Sequence, residues 1–117
     1  MFYGKKQECF YCLYVDKLRN LITAKLLFMG TMERSSVHPR EIFREAYKVS
    51  ATGIICIHNH PSGVLLPSKK DIEFTNDLVK LGDFHGIYIL DHLIVNENKY
   101  FSFVENRNKN NWKKEKI

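Results

Sequence analysis

The residues of this chain that are best suited to chemistry lie in one polar segment, from His58 to Asp71. His58 and His60 follow an apolar segment, and residues at i and i+2 project to the same side where extended geometry persists. Asp71 comes later, after a loop that is long enough to fold back and present it. Two imidazoles and one carboxylate leave one tetrahedral position open, which is typical of a catalytic rather than a structural zinc site.

Ser68 and Asp71 also have a simpler interpretation, the start of a helix. Ser68 followed three residues later by Asp71 forms a capping box, with Ser68 as the N-cap and Asp71 as the third helical residue. A single loop histidine is likewise more often a hydrogen-bonded residue than a ligand. Because the first turn of a helix suits a carboxylate in either role, the spacing alone leaves both interpretations open.

The segments around this loop predict the order β-β-α-β-α-β-β. Strands are expected at 9–15, 21–29, 53–57, 87–95 and 100–104, which are rich in branched and aromatic residues. Helices are expected from about 39 to 48 and from about 69 to 81, with Gly82 and Gly86 closing the second. Helices between strands imply crossovers, and hairpins at both ends imply antiparallel pairs. We therefore predict an α/β (α+β) fold, a mixed β-sheet packed with helices.

Length and composition indicate one ordinary globular domain. The chain has 117 residues, of which 44% are hydrophobic and 26% charged, and this excludes fibrous and disordered classes. The apolar run 9–15 is too short to cross a bilayer, and no export signal is visible, so we expect no membrane contact. Three cysteines without an export signal indicate a reducing compartment, so we expect a cytoplasmic protein.

The net charge of +5 is concentrated at the C-terminus. Residues 107–117 hold five basic side chains and one acidic one (5 − 1 = +4), whereas residues 1–106 hold 13 basic and 12 acidic (13 − 12 = +1). We therefore divide the chain into a nearly neutral folded domain, 1–106, and a basic, disordered tail, 107–117. Such a tail either solubilises the protein or makes weak contact with nucleic acid.

The spacing of the polar loop resembles a known signature. His58-x-His60, seven residues, Ser68, two residues and Asp71 are similar to the HxH-x7-S-x2-D motif of the JAMM (MPN/JAB1) metallohydrolases. The fuller string His-Asn-His-Pro-Ser-Gly resembles the bacterial RadC branch, as do Gly30-Thr31, Val37–Glu41 and Leu90–Val95. The resemblance extends from about Glu8 to Glu105 and implies the cytidine-deaminase-like JAMM/MPN fold.

The resemblance implies a role for each residue of the site. The expected zinc ligands are His58, His60 and Asp71, and Ser68 is expected to help hold the oxyanion or the bound water. The family's catalytic glutamate, at the start of the first core strand, matches Glu8, with Glu33 and Glu41 as competing candidates. Zinc lowers the pKa of its water to about 7, and the glutamate passes the proton to the leaving amine.

The resemblance also implies the activity, a zinc-dependent metalloprotease or related hydrolase that cleaves a peptide or isopeptide amide through metal-activated water. Its partner would then be a peptide or protein substrate. Two alternatives belong to other classes: a non-enzymatic interaction module of the same fold, and a DNA-associated (DNA repair) protein that acts through the tail. RadC-like proteins usually carry an N-terminal helical segment, so we expect an excised domain or a short family member.

Several other residues have structural explanations. Val64–Leu66 stand where RadC-like loops commonly have polar residues. They line a substrate groove, contact a partner subunit or pack beneath the loop. We favour packing beneath the loop. The three cysteines are expected to be small core residues, because i and i+3 on a strand face opposite sides: Cys9, Cys12 and Cys56.

The remaining histidines fit no ligand spacing. We expect His92 to be a hydrogen-bonded structural histidine, with a place in the substrate cleft as the alternative. His38 and His85 fall at predicted helix ends, where polar termini explain them. The sequence therefore predicts one site, built from the loop after the third strand and the start of the second helix.

Overall fold

The described part of the chain forms a five-stranded sheet with two helices. The computed structural model describes residues 7–30 and 37–107. The strands are β1 (Glu8–Val15), β2 (Leu21–Gly30), β3 (Gly53–Asn59), β4 (Tyr88–Val95) and β5 (Tyr100–Ser102). The helices are α1 (Pro39–Lys48) and α2 (Lys69–His85). The predicted α+β class and the order β-β-α-β-α-β-β are confirmed.

The sheet is mixed, as predicted, with the strand order β2-β1-β3-β4-β5. β1 pairs antiparallel with both β2 and β3, and β4 pairs antiparallel with β5. β3 and β4 are parallel because α2 carries the chain back between them. β3 therefore lies at the centre of the sheet, with a strand on each side.

Both helices contact the face of the sheet that carries Phe10 and Tyr14. The Tyr14 hydroxyl donates a hydrogen bond to the carbonyl of Ile42 in α1 (2.8 Å). The ring of Phe74 in α2 meets the ring of Phe10 edge to face, with centroids 5.9 Å apart. Other buried members of this core come from both helices, from β3 and β4 and from the adjoining loops: Val37, Phe43, Ala46, Ile54, Leu78, Val79, Ile87, Ile89, Ile94 and Phe103.

The cysteines are core residues, as predicted. Cys9, Cys12 and Cys56 are each completely buried. Cys12 and Cys56 stand directly opposite each other on β1 and β3, and burial, together with the neighbouring Cys56 thiol, raises the pKa of the Cys12 thiol. Small, soft side chains therefore fill the interior where two central strands meet.

Three element ends differ from the sequence prediction by two or more residues. α2 continues past Gly82 to His85, and Gly86, with φ of 68°, forms its left-handed C-cap. β3 continues through His58 and Asn59, because partners on neighbouring elements satisfy both polar side chains. β5 ends at Ser102 rather than at residue 104.

Part of the predicted organisation falls outside the described residues. Of the proposed tail, 107–117, only Arg107 is described, so the boundary between domain and tail stays a prediction. Within the described ranges, no helix is both long enough and apolar enough to span a membrane. The cytoplasmic location expected from the cysteines also stays a prediction.

Gly82 is required in the last turn of α2 by a close backbone contact. A Cβ atom at this position would lie 2.3 Å from the carbonyl oxygen of Ile87, whose amide also donates a hydrogen bond to the Gly82 carbonyl. In an exposed helix, Gly→Ala stabilises by about 1 kcal/mol. Here we expect Gly82→Ala to destabilise by about 1–3 kcal/mol, because the backbone must move. Denaturant unfolding measures this.

The matched control is Lys80→Ala, at an exposed position two residues earlier in α2. Its free energy of unfolding should stay within about 0.5 kcal/mol of wild type. A Gly82→Ala protein as stable as the wild type would contradict the proposed role of this contact.

Candidate metal centre

His58 lies near the end of β3 and is completely buried. It pairs with Phe10 of β1 in the sheet, and the two rings stack with centroids 5.8 Å apart. Its Nδ1 atom is 2.7 Å from Nε2 of His92 in β4. Because Nδ1 is engaged with His92, Nε2 is the nitrogen that remains for a ligand, and it lies 3.1 Å from Nε2 of His60.

His60 directly follows β3 and is held by a tight turn. The carbonyl of His60 accepts a hydrogen bond from the amide of Gly63 (2.8 Å). Gly63 has φ of 81°, a left-handed conformation that glycine adopts without strain. The turn brings the Val64 carbonyl to the ring, where it accepts a hydrogen bond from Nδ1 of His60 (2.8 Å). Since Nδ1 donates, the neutral ring has its lone pair at Nε2.

Asp71 is the third residue of α2, and its carboxylate takes part in the helix cap. The Ser68 hydroxyl accepts a hydrogen bond from the Asp71 amide (3.0 Å), and the Ser68 amide donates one to Oδ2 of Asp71 (2.8 Å). The predicted capping box is therefore confirmed. Oδ2 also lies 3.0 Å from Nε2 of His60, so helix capping and metal binding are compatible at this residue.

The ligand atoms of His58, His60 and Asp71 lie close enough to share one metal ion. The two Nε2 atoms are 3.1 Å apart, and the carboxylate oxygens lie 3.0 Å from Nε2 of His60 and 3.5 Å from Nε2 of His58. Two nitrogen donors at 2.0–2.1 Å from one tetrahedral ion stand about 3.3 Å apart. The donor types and their separations therefore fit a shared ion.

The electrostatics of the group follow from its burial. The side chain of Asp71 is completely buried, whereas that of His60 is 16% exposed. The hydrogen bond with Asp71 raises the pKa of His60, although burial opposes the shift, and the Val64 carbonyl and the Glu8 carboxylate add to it. A buried carboxylate is unfavourable unless it is paired, so this site favours a positive charge beside Asp71.

Glu8 begins β1 and lies beside the histidines. β1 extends two residues past the Phe10–His58 pair, to Glu8, at the end of β3 that leads to His60. This position agrees with the contribution of Glu8 to the raised pKa of His60. Of the competing glutamates, Glu41 lies in the first turn of α1, as a residue that favours the helix start. Glu33 lies outside the described residues.

Asn59 holds the segment that contains Glu8, a contact that the sequence analysis missed. Its side-chain Oδ1 accepts a hydrogen bond from the amide of Cys9 (2.7 Å), and its Nδ2 donates to the carbonyl of Gln7 (3.0 Å). One buried amide therefore ties the backbone on both sides of Glu8 to the end of β3. The only signal in the sequence is an amide side chain between two histidines at the end of an apolar strand.

The remaining histidines lie close to where the sequence analysis expected them. His38 is the N-cap of α1 and accepts a hydrogen bond from the amide of Arg40 (3.1 Å). His85 is the last residue of α2, and its Nδ1 lies 2.8 Å from the hydroxyl of Tyr47. His92 is buried and hydrogen-bonded, as predicted for a structural histidine, but one of its partners is the proposed ligand His58. No spacing rule connects these two, because only the β3–β4 pairing brings them together.

A cleft of about 470 Å³ adjoins the group on the side of His60. The turn between β4 and β5 forms its other wall, and Asn96 Nδ2 donates a hydrogen bond to the carbonyl of Gly63 on the opposite side (3.1 Å). The apolar residues of the loop differ in burial: Leu65 packs against the core, whereas Val64 and Leu66 are exposed. The packing favoured for this segment therefore applies to Leu65 alone.

Comparisons with known proteins agree with this geometry. Residues 1–109 match the family model described as RadC-like JAB domain. The chain is 46% identical over 100 residues to UPF0758 proteins of Bacillus mycoides (strain KBAB4), Bacillus cereus (strain AH187) and Bacillus anthracis (strain A0248). Each alignment covers 86% of this chain and 44% of the relative. The chain therefore spans less than half the length of the curated relatives that it matches.

Two substitutions separate the metal-binding role of Asp71 from its capping role. Asp71→Asn keeps an oxygen that can accept from the Ser68 amide but removes the charge, so we expect bound metal to fall sharply while the protein stays folded. Ser68→Ala removes the hydroxyl cap and should cost about 1 kcal/mol of stability. It should keep its metal, because the Ser68 amide still holds the carboxylate.

Elemental analysis and thermal unfolding of the wild type and of both variants measure these effects. We expect about one metal ion per wild-type chain after equilibration with the metal at neutral pH. Equal metal content in the wild type and Asp71→Asn would contradict the role of Asp71 as a ligand.

Proposed function

Because the chain belongs to the RadC-like JAB domain family, we propose that it is a zinc-dependent hydrolase that cleaves a peptide or isopeptide amide. His58, His60 and Asp71 are the proposed zinc ligands. Glu8 is the proposed general acid/base, and Ser68 the proposed donor to the oxyanion. The proposal concerns the chemistry of this domain, and a peptide or protein is its proposed substrate.

The observation that carries this proposal is the convergence of three ligand atoms beside a cleft. Among the described residues, the group has three members, two imidazoles and one carboxylate. A structural zinc site is closed by four protein ligands, whereas a catalytic site keeps a position for water or substrate. His60 is both a member of the group and part of the cleft wall, and its side chain is partly exposed, so a substrate bound in the cleft would lie next to the group.

The donor set supports zinc as the proposed metal. Imidazole nitrogen together with one carboxylate is a combination that zinc accepts in hydrolytic sites. When bound, zinc would lower the pKa of a coordinated water to about 7 and polarise the amide carbonyl. The protein contributes a fixed arrangement, because each of the three ligands makes a further hydrogen bond within the protein. The two imidazoles make it through Nδ1, and the carboxylate makes it with the Ser68 amide.

In the proposed mechanism, Glu8 moves the proton. Its carboxylate lies close enough to His60 to affect the pKa of that ring, and the Asn59 side chain anchors the backbone on both sides of it. In the proposed cycle, Glu8 takes a proton from the attacking water and delivers it to the nitrogen of the leaving amine. General acid–base catalysis of this kind contributes about 10²–10⁴-fold.

The Ser68 hydroxyl can donate a hydrogen bond at the same site. Its oxygen accepts from the Asp71 amide, so its own proton remains available to a substrate group. In the proposed mechanism this hydroxyl donates to the oxygen of the amide carbonyl as negative charge develops there. Its position at the N-terminus of α2 adds the favourable end of the helix dipole to that interaction.

The catalytic role of Glu8 can be tested with a neutral variant of the same shape. We expect Glu8→Gln to keep its zinc but to lower kcat by about 10²–10⁴-fold, since the amide cannot carry the proton. The assay is cleavage of a peptide mixture by the zinc-loaded chain, with products identified by mass spectrometry. Elemental analysis of the same samples reports the zinc.

Two matched variants serve as controls for this assay. Glu41→Gln and Glu33→Gln make the same chemical change at the competing glutamates and should leave kcat close to wild type. A Glu8→Gln protein with full activity would eliminate Glu8 as the acid/base. A zinc-loaded wild type that cleaves no peptide or isopeptide would favour the alternative, an interaction module that keeps its metal loop for stability.

The basic tail carries a separate proposal, weak contact with nucleic acid. If the tail is responsible, deletion of 107–117 should remove DNA binding, and the binding constant of the full chain should fall steeply with salt. Fluorescence anisotropy with a duplex oligonucleotide at two salt concentrations measures both effects. Equal affinities for the full and shortened chains would show that the tail does not bind DNA.

A further inference from the structure

A chain of three buried hydrogen bonds runs from one proposed ligand to the backbone of another. His58 Nδ1 lies 2.7 Å from His92 Nε2, and His92 Nδ1 lies 2.6 Å from the hydroxyl oxygen of Thr75. The Thr75 hydroxyl donates to the backbone carbonyl of Asp71 (2.7 Å). His58, His92 and Thr75 are all completely buried, so the chain links β3, β4 and α2 inside the protein.

The direction of the protons along this chain follows from its last member. A backbone carbonyl only accepts, so the single hydroxyl proton of Thr75 points to Asp71. The Thr75 oxygen must then accept from Nδ1 of His92, and the neutral His92 ring accepts at Nε2. His58 therefore carries its proton on Nδ1 and has its lone pair on Nε2, the atom that lies 3.1 Å from Nε2 of His60.

We propose that His92 and Thr75 are positioning residues, which together hold His58 in the tautomer and orientation that bind the metal ion. The inference deepens the proposed function and rests on its metal site. The reverse proton order would place a hydrogen on Nε2 of His58, where a metal ion needs a lone pair. The Asp71 backbone carbonyl disfavours that order, because it takes the only proton of the Thr75 hydroxyl.

We call the three hydrogen bonds that join His58, His92, Thr75 and Asp71 the relay. Packing holds the His92 ring in the plane that the relay needs. The ring of Phe103 stacks on it with centroids 4.9 Å apart and an interplanar angle of 11°. Phe10 meets it edge to face, with centroids 5.7 Å apart. Since the ring is completely buried, bulk water cannot replace either of its hydrogen-bond partners, and loss of one partner leaves a buried nitrogen unsatisfied.

The relay also connects two proposed ligands by a route that does not pass through the metal. Asp71 and Thr75 are one helical turn apart on α2, and His92 carries the connection across to His58. The position of α2 against the sheet is thereby coupled to the orientation of a ligand on β3. Removing a hydrogen bond that orients a metal ligand typically lowers metal affinity by about 10–100-fold.

The sharpest test is a matched pair at Thr75, which touches no ligand side chain in the relay. Thr75→Val keeps the shape and removes the hydroxyl, whereas Thr75→Ser keeps the hydroxyl. Zn²⁺ affinity of the full chain is measured by competition with a chromophoric chelator. We expect Thr75→Val to bind Zn²⁺ about 10–100-fold more weakly than wild type, and Thr75→Ser to bind it nearly as well as wild type.

A second position tests the same relay. His92→Phe keeps an aromatic ring for stacking on Phe103 but breaks both hydrogen bonds, so we expect a similar loss of Zn²⁺ affinity. Combining it with Thr75→Val should weaken binding little further, because the relay is already broken. The visible spectrum of the Co²⁺ form should change in His92→Phe, since the orientation of one ligand has changed.

The outcomes separate this inference from the proposed function. Thermal unfolding of the metal-free proteins shows whether each variant folds. Wild-type metal affinity in a folded Thr75→Val protein would overturn the relay and leave the metal site standing. Additive losses in the double variant would also overturn it. A wild-type chain that binds neither Zn²⁺ nor Co²⁺ would overturn the metal site and the relay together.

Discussion

The completely buried carboxylate of Asp71 is the constraint on which the site depends. An ion taken out of water costs on the order of several kcal/mol unless its partners are close and well oriented. Here the Ser68 amide donates to the carboxylate, and Nε2 of His58 and Nε2 of His60 lie close enough to share a positive ion with it. The start of α2 and the end of β3 must therefore meet at one point. The capping box makes this meeting rigid, because the bonds that begin the helix also aim the carboxylate.

The sheet supplies the other half of the arrangement. β3 lies between β1 and β4, so each neighbouring strand brings one residue to the histidines. β1 brings Glu8, and the Asn59 side chain anchors the backbone of the residues before and after it. β4 brings His92, which contacts the far side of His58. Central strands are the least mobile part of a domain, which suits a site whose ligand atoms must keep their separations.

Local patterns predicted the order of elements and the helix cap, because both depend on residues close together in the chain. The prediction failed where tertiary contacts decide. Gly82 has the signature of a helix end, yet α2 continues to His85, since the missing Cβ makes room for the carbonyl of Ile87. β3 extends into residues that look like loop, because Asn59 finds its partners on β1.

The sequence by itself indicated the candidate ligand set, His58, His60 and Asp71, because all three lie within one short segment whose spacing resembles a known signature. Only the tertiary structure decided which groups stand behind the ligands. His92 and Thr75 reach His58 through the parallel pairing of β3 with β4 and the packing of α2 on the sheet. The register between distant strands is set by packing of the whole core, and no spacing within the chain encodes it.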